Sequence, residues 1–252
     1  MKTITKMIMG TCLVAFAFSE QLLAEEPMQA PSYSPVELFT CNYNKGKDSK
    51  DLDRVIGKFR KWADANDPGY TAWTLTPVYT SADIEFDVGW LGTWNDFAAQ
   101  GASADNWAAN GMQADFDKVI SCDSHSSAAS ANIIPPASET PPESGVILFS
   151  SCTYAEGSGG EQAFAAHQQM SAYMKSKGST AGAWVFYPGM GSGDIDFDYY
   201  FVRGYTDFKA VAHDSNVITN GAGYRKAGEI FKGVTDCDIP RAYAASLVRA
   251  GS

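Results

Sequence analysis

The second half of this chain repeats the first, and that duplication restricts its possible folds more than any other feature. The segment SADIEFD at 81–87 recurs as SGDIDFD at 192–198, and Trp73 recurs as Trp184 at the same offset of 111 residues. After a four-residue insertion, Cys122 is matched by Cys237. Chance does not place so many matches at one offset, so we predict two copies of one structural unit.

The composition of the connecting segments suggests where the copies begin and end. We predict the first copy at 36–123 and the second at 146–252. Between them, residues 124–145 are rich in Ser, Ala and Pro and lack an apolar period, which is typical of an extended linker. Residues 25–35 form a similar lead-in.

The first 24 residues are organised like a secretory signal peptide. Lys2 and Lys6 precede a mostly apolar run over 7–18, which is too short to span a bilayer. The alternative is an uncleaved anchor. No later stretch is long and apolar enough to cross a membrane. We therefore expect an exported protein, either periplasmic or secreted.

Cysteine usage agrees with export. Removing Cys12 with the signal peptide leaves four cysteines, and an even number in an exported chain favours disulfides. Four cysteines allow three pairings, and their spacing alone does not choose among them.

Each copy shows the order β-α-β-β-α-β. In the first helix, apolar residues such as Leu52, Ile56 and Phe59 recur at helical spacing. This order is the ferredoxin-like unit, and its open sheet has helices on one face only. Two units that pack bare face to bare face would bury both faces. We therefore predict an α+β fold in which two tandem ferredoxin-like βαββαβ repeats form one pseudo-symmetric α+β barrel.

Two passages after the third strand resemble the dimeric α+β barrel superfamily. WNDF at 94–97 and GYTDFKAVAHDS at 204–215 are similar to its aromatic, acidic-aromatic and His/Ser segment in the second helix. The resemblance covers most of the mature chain and implies the barrel fold. The superfamily includes cofactor-independent oxygenases, haem-degrading oxygenases and haem-dependent chlorite-dismutase-like proteins, so an oxygenase or haem role is implied as an alternative. His213 resembles a histidine that some members use at a haem or substrate pocket.

The ferredoxin-like strand order selects one disulfide pairing. In that order the first and fourth strands lie side by side. Cys41 and Cys122 belong to these strands in the first copy, and Cys152 and Cys237 belong to them in the second. We therefore predict the bonds Cys41–Cys122 and Cys152–Cys237.

Acidic residues alternate with apolar ones in both copies. We predict strands at 83–90 and 194–202, in which alternate residues share one face, so each copy would aim three carboxylates the same way. Carboxylates suit hard cations, which predicts a divalent-cation site, for example for calcium. The alternative is a solvated hairpin face. The six acids are Asp83, Glu85, Asp87, Asp194, Asp196 and Asp198.

Aromatic residues and histidines supply the remaining candidates. Trp73 and Trp184 hold equivalent places in the second strand, where they would line a cavity for a flat ligand or simply belong to the core. His167 replaces Ile56 on the helix face toward the sheet and is a third ligand-binding candidate. His213 is the fourth, and it is also the one catalytic candidate.

The charge and these residues together suggest a function. Lys and Arg number 19 against 29 Asp and Glu, and the net charge of −10 argues against a nucleic-acid partner. We predict an exported binding protein with a small-molecule or cation site in or near the barrel. An oxygenase-like or haem-associated enzyme is the alternative.

Overall fold

The computed structural model describes residues 31–251 apart from Pro68, Asp83, Ala137, Glu139 and the side chain of Asn110. The predicted signal peptide and most of the predicted lead-in lie outside the described residues. Among the helices that are described, none has the length and apolar character needed to cross a bilayer.

Strands and helices follow one another in the same order twice. The first half consists of β1 (Tyr33–Tyr43), α1 (Ser49–Asn66), β2 (Thr71–Tyr79), β3 (Val88–Thr93), α2 (Phe97–Asn110), α3 (Gln113–Phe116) and β4 (Ile120–Ile134). The second half consists of β5 (Ser144–Tyr154), α4 (Gly160–Ser176), β6 (Gly182–Pro188), β7 (Tyr199–Tyr205), α5 (Phe208–Thr219), α6 (Gly223–Phe231), β8 (Thr235–Cys237) and β9 (Arg241–Arg249). In the second half, the last strand is divided into β8 and β9.

Eight strands close into one antiparallel barrel. Around the wall the order is β4-β1-β3-β2-β9-β5-β7-β6, and β6 pairs back onto β4. Two of these pairings join the halves, namely β2 with β9 and β4 with β6. The short strand β8 pairs with β5 beyond the end of β9. The predicted α+β barrel is therefore confirmed, and closure leaves no open edge in its wall.

The barrel wall separates two apolar layers. On β1, Val36 and Leu38 point into the barrel and pack in a cluster that includes Phe186 of the other half. The alternate residues Phe39 and Cys41 belong to a cluster with α1 on the outer face. Because successive residues of a strand face opposite sides, β1 serves both layers. The outer layer of the first half is where the candidate site lies.

Aspartates cap three of the helices, α1, α2 and α5. Asp48 starts α1 in a capping box with Asp51. At α2 and α5, the equivalent residues Asp96 and Asp207 each accept a hydrogen bond from the backbone N–H three residues on. Such caps satisfy helix N–H groups and typically stabilise by about 1 kcal/mol. They fix where each helix begins relative to the strand before it.

The four cysteines are bonded in two pairs, each within one half. Cys41 faces Cys122 across β1 and β4, and Cys152 faces Cys237 across β5 and β8. This is the pairing that the strand order predicts. The bonds join residues 81 and 85 positions apart, so each one closes most of a half.

The prediction of a linker at 124–145 is wrong for the first half of that segment. Residues 124–134 belong to β4, which lies between β1 and β6. Ala128 and Ala131 are buried in this wall. The segment shows no apolar period because small Ser and Ala side chains fill its positions. The predicted lead-in also ends earlier, since β1 begins at Tyr33.

The two predicted acidic strands are displaced. β3 begins at Val88 and β7 begins at Tyr199, so the five acids that the structure describes precede the strands and lie in loops. They therefore do not share one face of a strand as predicted. The backbone N–H groups of Asp87 and Asp198 donate to the carbonyls of Cys41 and Cys152 at the point where each loop joins the sheet.

Candidate functional site

A cavity of about 710 Å³ lies in the first half, between the outer face of the barrel and helices α1, α2 and α3. Its walls are largely aromatic, with rings that meet edge to face around Phe59. The aromatic residues lining it are Phe39, Phe59, Trp62, Tyr70, Trp90, Trp94, Phe97, Trp107 and Phe116. Such walls suit a flat apolar ligand.

Four polar side chains in this cavity form one continuous hydrogen-bonded chain, which we call the Glu37 relay. Trp90 Nε1–H donates to Tyr70 Oη over 2.6 Å, and the Tyr70 hydroxyl donates to Glu37 Oε1. The other carboxylate oxygen, Glu37 Oε2, lies 3.0 Å from His125 Nε2. All four residues line the cavity. A carboxylate that holds one nitrogen of an imidazole orients the ring and leaves the other nitrogen as a proton acceptor.

Burial and a neighbouring charge keep Tyr70 protonated. Burial raises the pKa of Tyr70 well above its usual value of 10, and the negative charge of Glu37 raises it further. Tyr70 is therefore neutral and remains the donor to Glu37. The His125 ring stacks on Phe39 with ring centroids 3.7 Å apart, which holds the imidazole against the barrel wall. His125 is more than half exposed, so it is accessible to a ligand.

A second carboxylate lies in the wall of the cavity. Asp67 Oδ2 accepts a hydrogen bond from Trp94 Nε1 over 3.2 Å and another from the Ser103 hydroxyl. Asp67 is buried, and its backbone carbonyl accepts from Arg249. The lining residues include these two carboxylates, Glu37 and Asp67, and no Lys or Arg among the described residues. The site therefore favours neutral or cationic ligands over anionic ones.

The second half completes the rim of the cavity. The turn between β6 and β7 brings Met190 and Gly191 over the middle of β4. The Met190 carbonyl accepts a hydrogen bond from Ser127 N over 2.7 Å. Gly191 has a φ of +82°, and a Cβ at this position would overlap the His125 carbonyl oxygen. The turn thus needs glycine to approach β4 this closely.

The Glu37 relay has no counterpart in the second half. At the same offset, Leu148 replaces Glu37, Ala181 replaces Tyr70 and Phe201 replaces Trp90. The residue opposite Tyr70 also changes, because Gly92 leaves room for the tyrosine ring where the second half has Arg203. Of the two halves, only the first therefore carries the residues of the Glu37 relay, although both halves share the same order of strands and helices.

Trp73 and Trp184 lie together in a second cavity, which is separate from the aromatic one. A cavity of about 300 Å³ at one end of the barrel interior is lined by both tryptophans, together with Phe186 and prolines of the segment after β4. Both belong to the apolar cluster inside the barrel. They are separate from the Glu37 relay, because they point into the barrel and the relay lies outside it.

The two predicted histidines line neither cavity. His213 is exposed on α5, and its Nε2 lies 3.0 Å from the Lys177 carbonyl at the end of α4. His167 is buried between α4 and the sheet of the second half, with Nε2 2.8 Å from Tyr199 Oη. Neither residue is placed to act on a ligand in the aromatic cavity.

The acids that the structure describes do not assemble the predicted cation site. Asp83 lies outside the described residues, and among the described acids no three of the set bring carboxylate oxygens together. Asp87 accepts a hydrogen bond from Tyr43 N over 2.9 Å, and Asp198 accepts one from Tyr154 N over 2.7 Å. These two acids secure loops to strands. Glu85, Asp194 and Asp196 are exposed.

Sequence reasoning missed Glu37 and His125 for different reasons. Glu37 alternates with Val36 and Leu38 and so faces the helices, where a carboxylate among aromatic residues indicates a site. His125 falls in the segment taken for a linker. Recognising that segment as a strand would have placed it opposite Phe39, beside Glu37.

Comparison with known proteins identifies the fold. No protein-family model matches the chain, and no curated protein matches its sequence. A protein from Fusobacterium nucleatum subsp. nucleatum, provisionally assigned as a monooxygenase, superposes with a TM-score of 0.57 at 8% identity, covering 86% of this chain and 94% of that one. An anthrone oxidase-like protein gives 0.55 at 10% identity, covering 86% and 92%. A mutant chlorite dismutase from Candidatus Nitrospira defluvii gives 0.51 at 5% identity, covering 85% and 92%.

At such low identities these similarities establish the fold alone. The chain has the fold of the dimeric α+β barrel proteins, as the sequence resemblance predicts.

Proposed function

We propose that this protein is an oxygenase-like enzyme that binds a flat, uncharged or cationic aromatic substrate in the first-half cavity. The observation that carries the proposal is the Glu37 relay, a carboxylate-oriented histidine at the mouth of a large aromatic cavity. The monooxygenase and anthrone oxidase-like names of two similar structures agree with this class, although a shared fold alone does not assign an activity.

His125 acts as the general base in the proposed reaction. With Nε2–H directed to Glu37, its Nδ1 lone pair can take a proton from an activated C–H of the substrate, and Glu37 stabilises the imidazolium that forms. The resulting carbanion gives its electrons to dioxygen. For an activated methylene, one oxygen atom enters the product as a carbonyl, and the other leaves as water with the two hydrogens.

The cavity fits this chemistry better than it fits haem. Haem needs an axial ligand and carries two propionates, which proteins commonly pair with cations. The cavity lining holds two carboxylates and, among the described residues, no Lys or Arg. The two propionates would lack cationic partners there, and the proposed reaction uses no haem.

The test measures oxygen consumption with an anthrone-type substrate, in which a methylene is flanked by aromatic rings. The variants are His125→Ala and Glu37→Gln, with His213→Ala as the matched control because His213 is exposed on α5 and does not line the cavity. Removing a general base typically costs about 10²- to 10⁴-fold in rate. Tryptophan fluorescence quenching by the substrate should be retained in the His125→Ala variant. Equal rates for His125→Ala and His213→Ala would exclude His125 as the base.

Two further properties belong to the same proposal. We infer that the barrel consists of two fused ferredoxin-like repeats, which the recurring element order and the internal duplication support. We also infer that the protein is exported to the periplasm or beyond. Two bonded cysteine pairs support export, because disulfides persist in oxidising compartments.

The cavity inside the barrel favours a second candidate function, that of a binding protein. Two tryptophans at equivalent places of the halves meet in about 300 Å³ of apolar space. Trp73→Ala and Trp184→Ala should weaken the binding of a small apolar ligand in this cavity, whereas His125→Ala should leave its affinity unchanged. The same fluorescence titration therefore distinguishes the two sites.

A further inference from the structure

In the second half, a histidine lies beside the disulfide between β5 and β8. Ligand atoms of Cys152, Cys237 and His167 all lie within 4.8 Å of one another. Cys152 and His167 are buried, with about 1% exposure or less. The disulfide of the first half has no such neighbour, because Ile56 stands where the second half has His167.

The hydrogen bonds around His167 determine which of its nitrogens is free. The Thr235 hydroxyl donates to the Thr153 carbonyl over 2.8 Å, so it must accept its second bond from Tyr199 Oη–H. Tyr199 then has no proton left for His167. The contact of 2.8 Å between His167 Nε2 and Tyr199 Oη is therefore made by Nε2–H.

His167 Nδ1 therefore carries a lone pair that accepts no hydrogen bond from the described residues, although the side chain is buried. A buried acceptor without a partner costs about 1–3 kcal/mol, so its retention needs an explanation. The two sulfurs lie within 4.8 Å of a nitrogen of this ring, and Nδ1 is the ring nitrogen whose lone pair is free. They supply the explanation, because cysteine thiolates and a neutral imidazole are both ligands for soft metals.

We propose that reduction of the Cys152–Cys237 bond creates a buried site for Cu⁺, with two thiolates and His167 Nδ1 as ligands. A dithiol reductant supplies two electrons and two protons, which converts the disulfide into two thiols while the reductant becomes a disulfide. Cu⁺ then displaces both thiol protons. The oxidised protein has no thiolate and does not bind the ion, so the site responds to the redox state.

The number of ligands and the local charge favour Cu⁺ over Zn²⁺. Structural zinc sites have four protein ligands, whereas this cluster offers three. Two thiolates with Cu⁺ carry one net negative charge. The guanidinium of Arg203 lies 5.6 Å from the centre of the Phe201 ring, on which His167 also stacks at 4.0 Å. The positive charge of the Arg203 guanidinium offsets the net negative charge of Cu⁺ with its two thiolates.

The test is an anaerobic titration of the reduced protein with Cu⁺ in competition with the chromogenic chelator bicinchoninate. We expect the reduced protein to bind one Cu⁺ tightly per chain, although reduction frees two cysteine pairs. We expect the oxidised protein to show no tight binding. His167→Ile, which copies the first half, should weaken binding at least tenfold. X-ray absorption should show two sulfur neighbours and one nitrogen neighbour. Two equivalent sites, or equal affinity in His167→Ile, would overturn the proposal.

A loss of structure on reduction would not hide the result. Circular dichroism of the reduced protein reports whether the fold persists. If it does not, Cu⁺ should restore the fold of the wild type and fail to restore that of His167→Ile, because a site that exists only in the native state couples binding to folding. Restoration of both proteins to the same extent would refute the role of His167.

Discussion

Substitution of Gly92 by alanine should disrupt the candidate site from the opposite strand. A Cβ at Gly92 would lie 2.5 Å from two ring carbons of Tyr70, well inside van der Waals contact. The tyrosine cannot simply turn away. Its ring meets Phe59 edge to face at 6.0 Å, packs on Trp94 at 4.6 Å, and makes hydrogen bonds to Trp90 and Glu37.

The magnitude follows from these contacts. Overpacking a well-filled core costs about 1–3 kcal/mol. Displacing the hydroxyl also weakens a hydrogen bond to a carboxylate, which is worth about 1.5–3 kcal/mol. We expect Gly92→Ala to lower the free energy of unfolding by about 3 kcal/mol, which corresponds to about 6–12 °C in Tm for a chain of this size.

Guanidinium unfolding followed by tryptophan fluorescence measures this loss. Gly57→Ala is the matched control, because a Cβ at this helical position meets nothing within 4 Å and should be neutral or slightly stabilising. In a Tyr70→Ala background, which copies Ala181 of the second half, Gly92→Ala should cost about 1–3 kcal/mol less. Additive losses, or a Gly92→Ala protein as stable as the control, would refute the proposed clash.

Three other predictions follow from the structure. Replacing either bonded cysteine pair by serine should lower the free energy of unfolding by up to about 4.5 kcal/mol by the chain-entropy estimate. The two losses should be similar because the separations of 81 and 85 residues are nearly equal, and denaturant unfolding of the two variants tests this. Burial, and secondarily the charge of Arg203, lowers the pKa of His167 to about 3. Below pH 6.5 the unfolded chain therefore binds a proton that the folded chain does not, and the free energy of unfolding should fall by up to about 1.4 kcal/mol per pH unit from pH 6.5 toward 3. The His167→Ile variant should lack this contribution when melts are recorded as a function of pH. Asp198→Ala should lower the free energy of unfolding by about 1–3 kcal/mol because Tyr154 N loses its acceptor. Asp196→Asn, at an exposed position, should change it by no more than about 0.5 kcal/mol. A rise in Tm with calcium that Asp196→Asn abolishes would support the predicted cation site instead.

The fold was accessible from the sequence because the duplication and the hydrophobic periods agree. A repeated order of elements with one apolar sheet face admits few arrangements, and the pairing of Cys41 with Cys122 follows from the strand order. The limits of the strands were less accessible. Ser and Ala between 124 and 134 leave no hydrophobic pattern, although β4 is buried there between two neighbours. The alternation of acids before β3 imitates a strand, whereas the backbone bonds of Asp87 show a loop joining the sheet.

The candidate site was less predictable because it depends on where the copies differ. Internal matching highlights what the halves share, such as Trp73 and Trp184, and these residues pack inside the barrel. The Glu37 relay consists of residues that the second half lacks, and His125 has Pro240 at the matching place after the second cysteine pair. Shared positions are those that both halves need for folding, so differences between the copies are the better guide to chemistry.

The same reasoning applies to the second half. Where the first half has Tyr70 against Gly92, the second has Ala181 and Arg203, so the large side chain has moved to the other strand. Where the first half has Ile56 beside its disulfide, the second has His167 with an unpartnered nitrogen. Each half therefore keeps the shared order of strands and helices and has its own side chains on the outer face. In the first half these differences place His125 and Glu37 beside an aromatic cavity, and in the second half they place a buried imidazole beside two sulfurs. A duplicated barrel can hold two different sites because neither copy has to supply both.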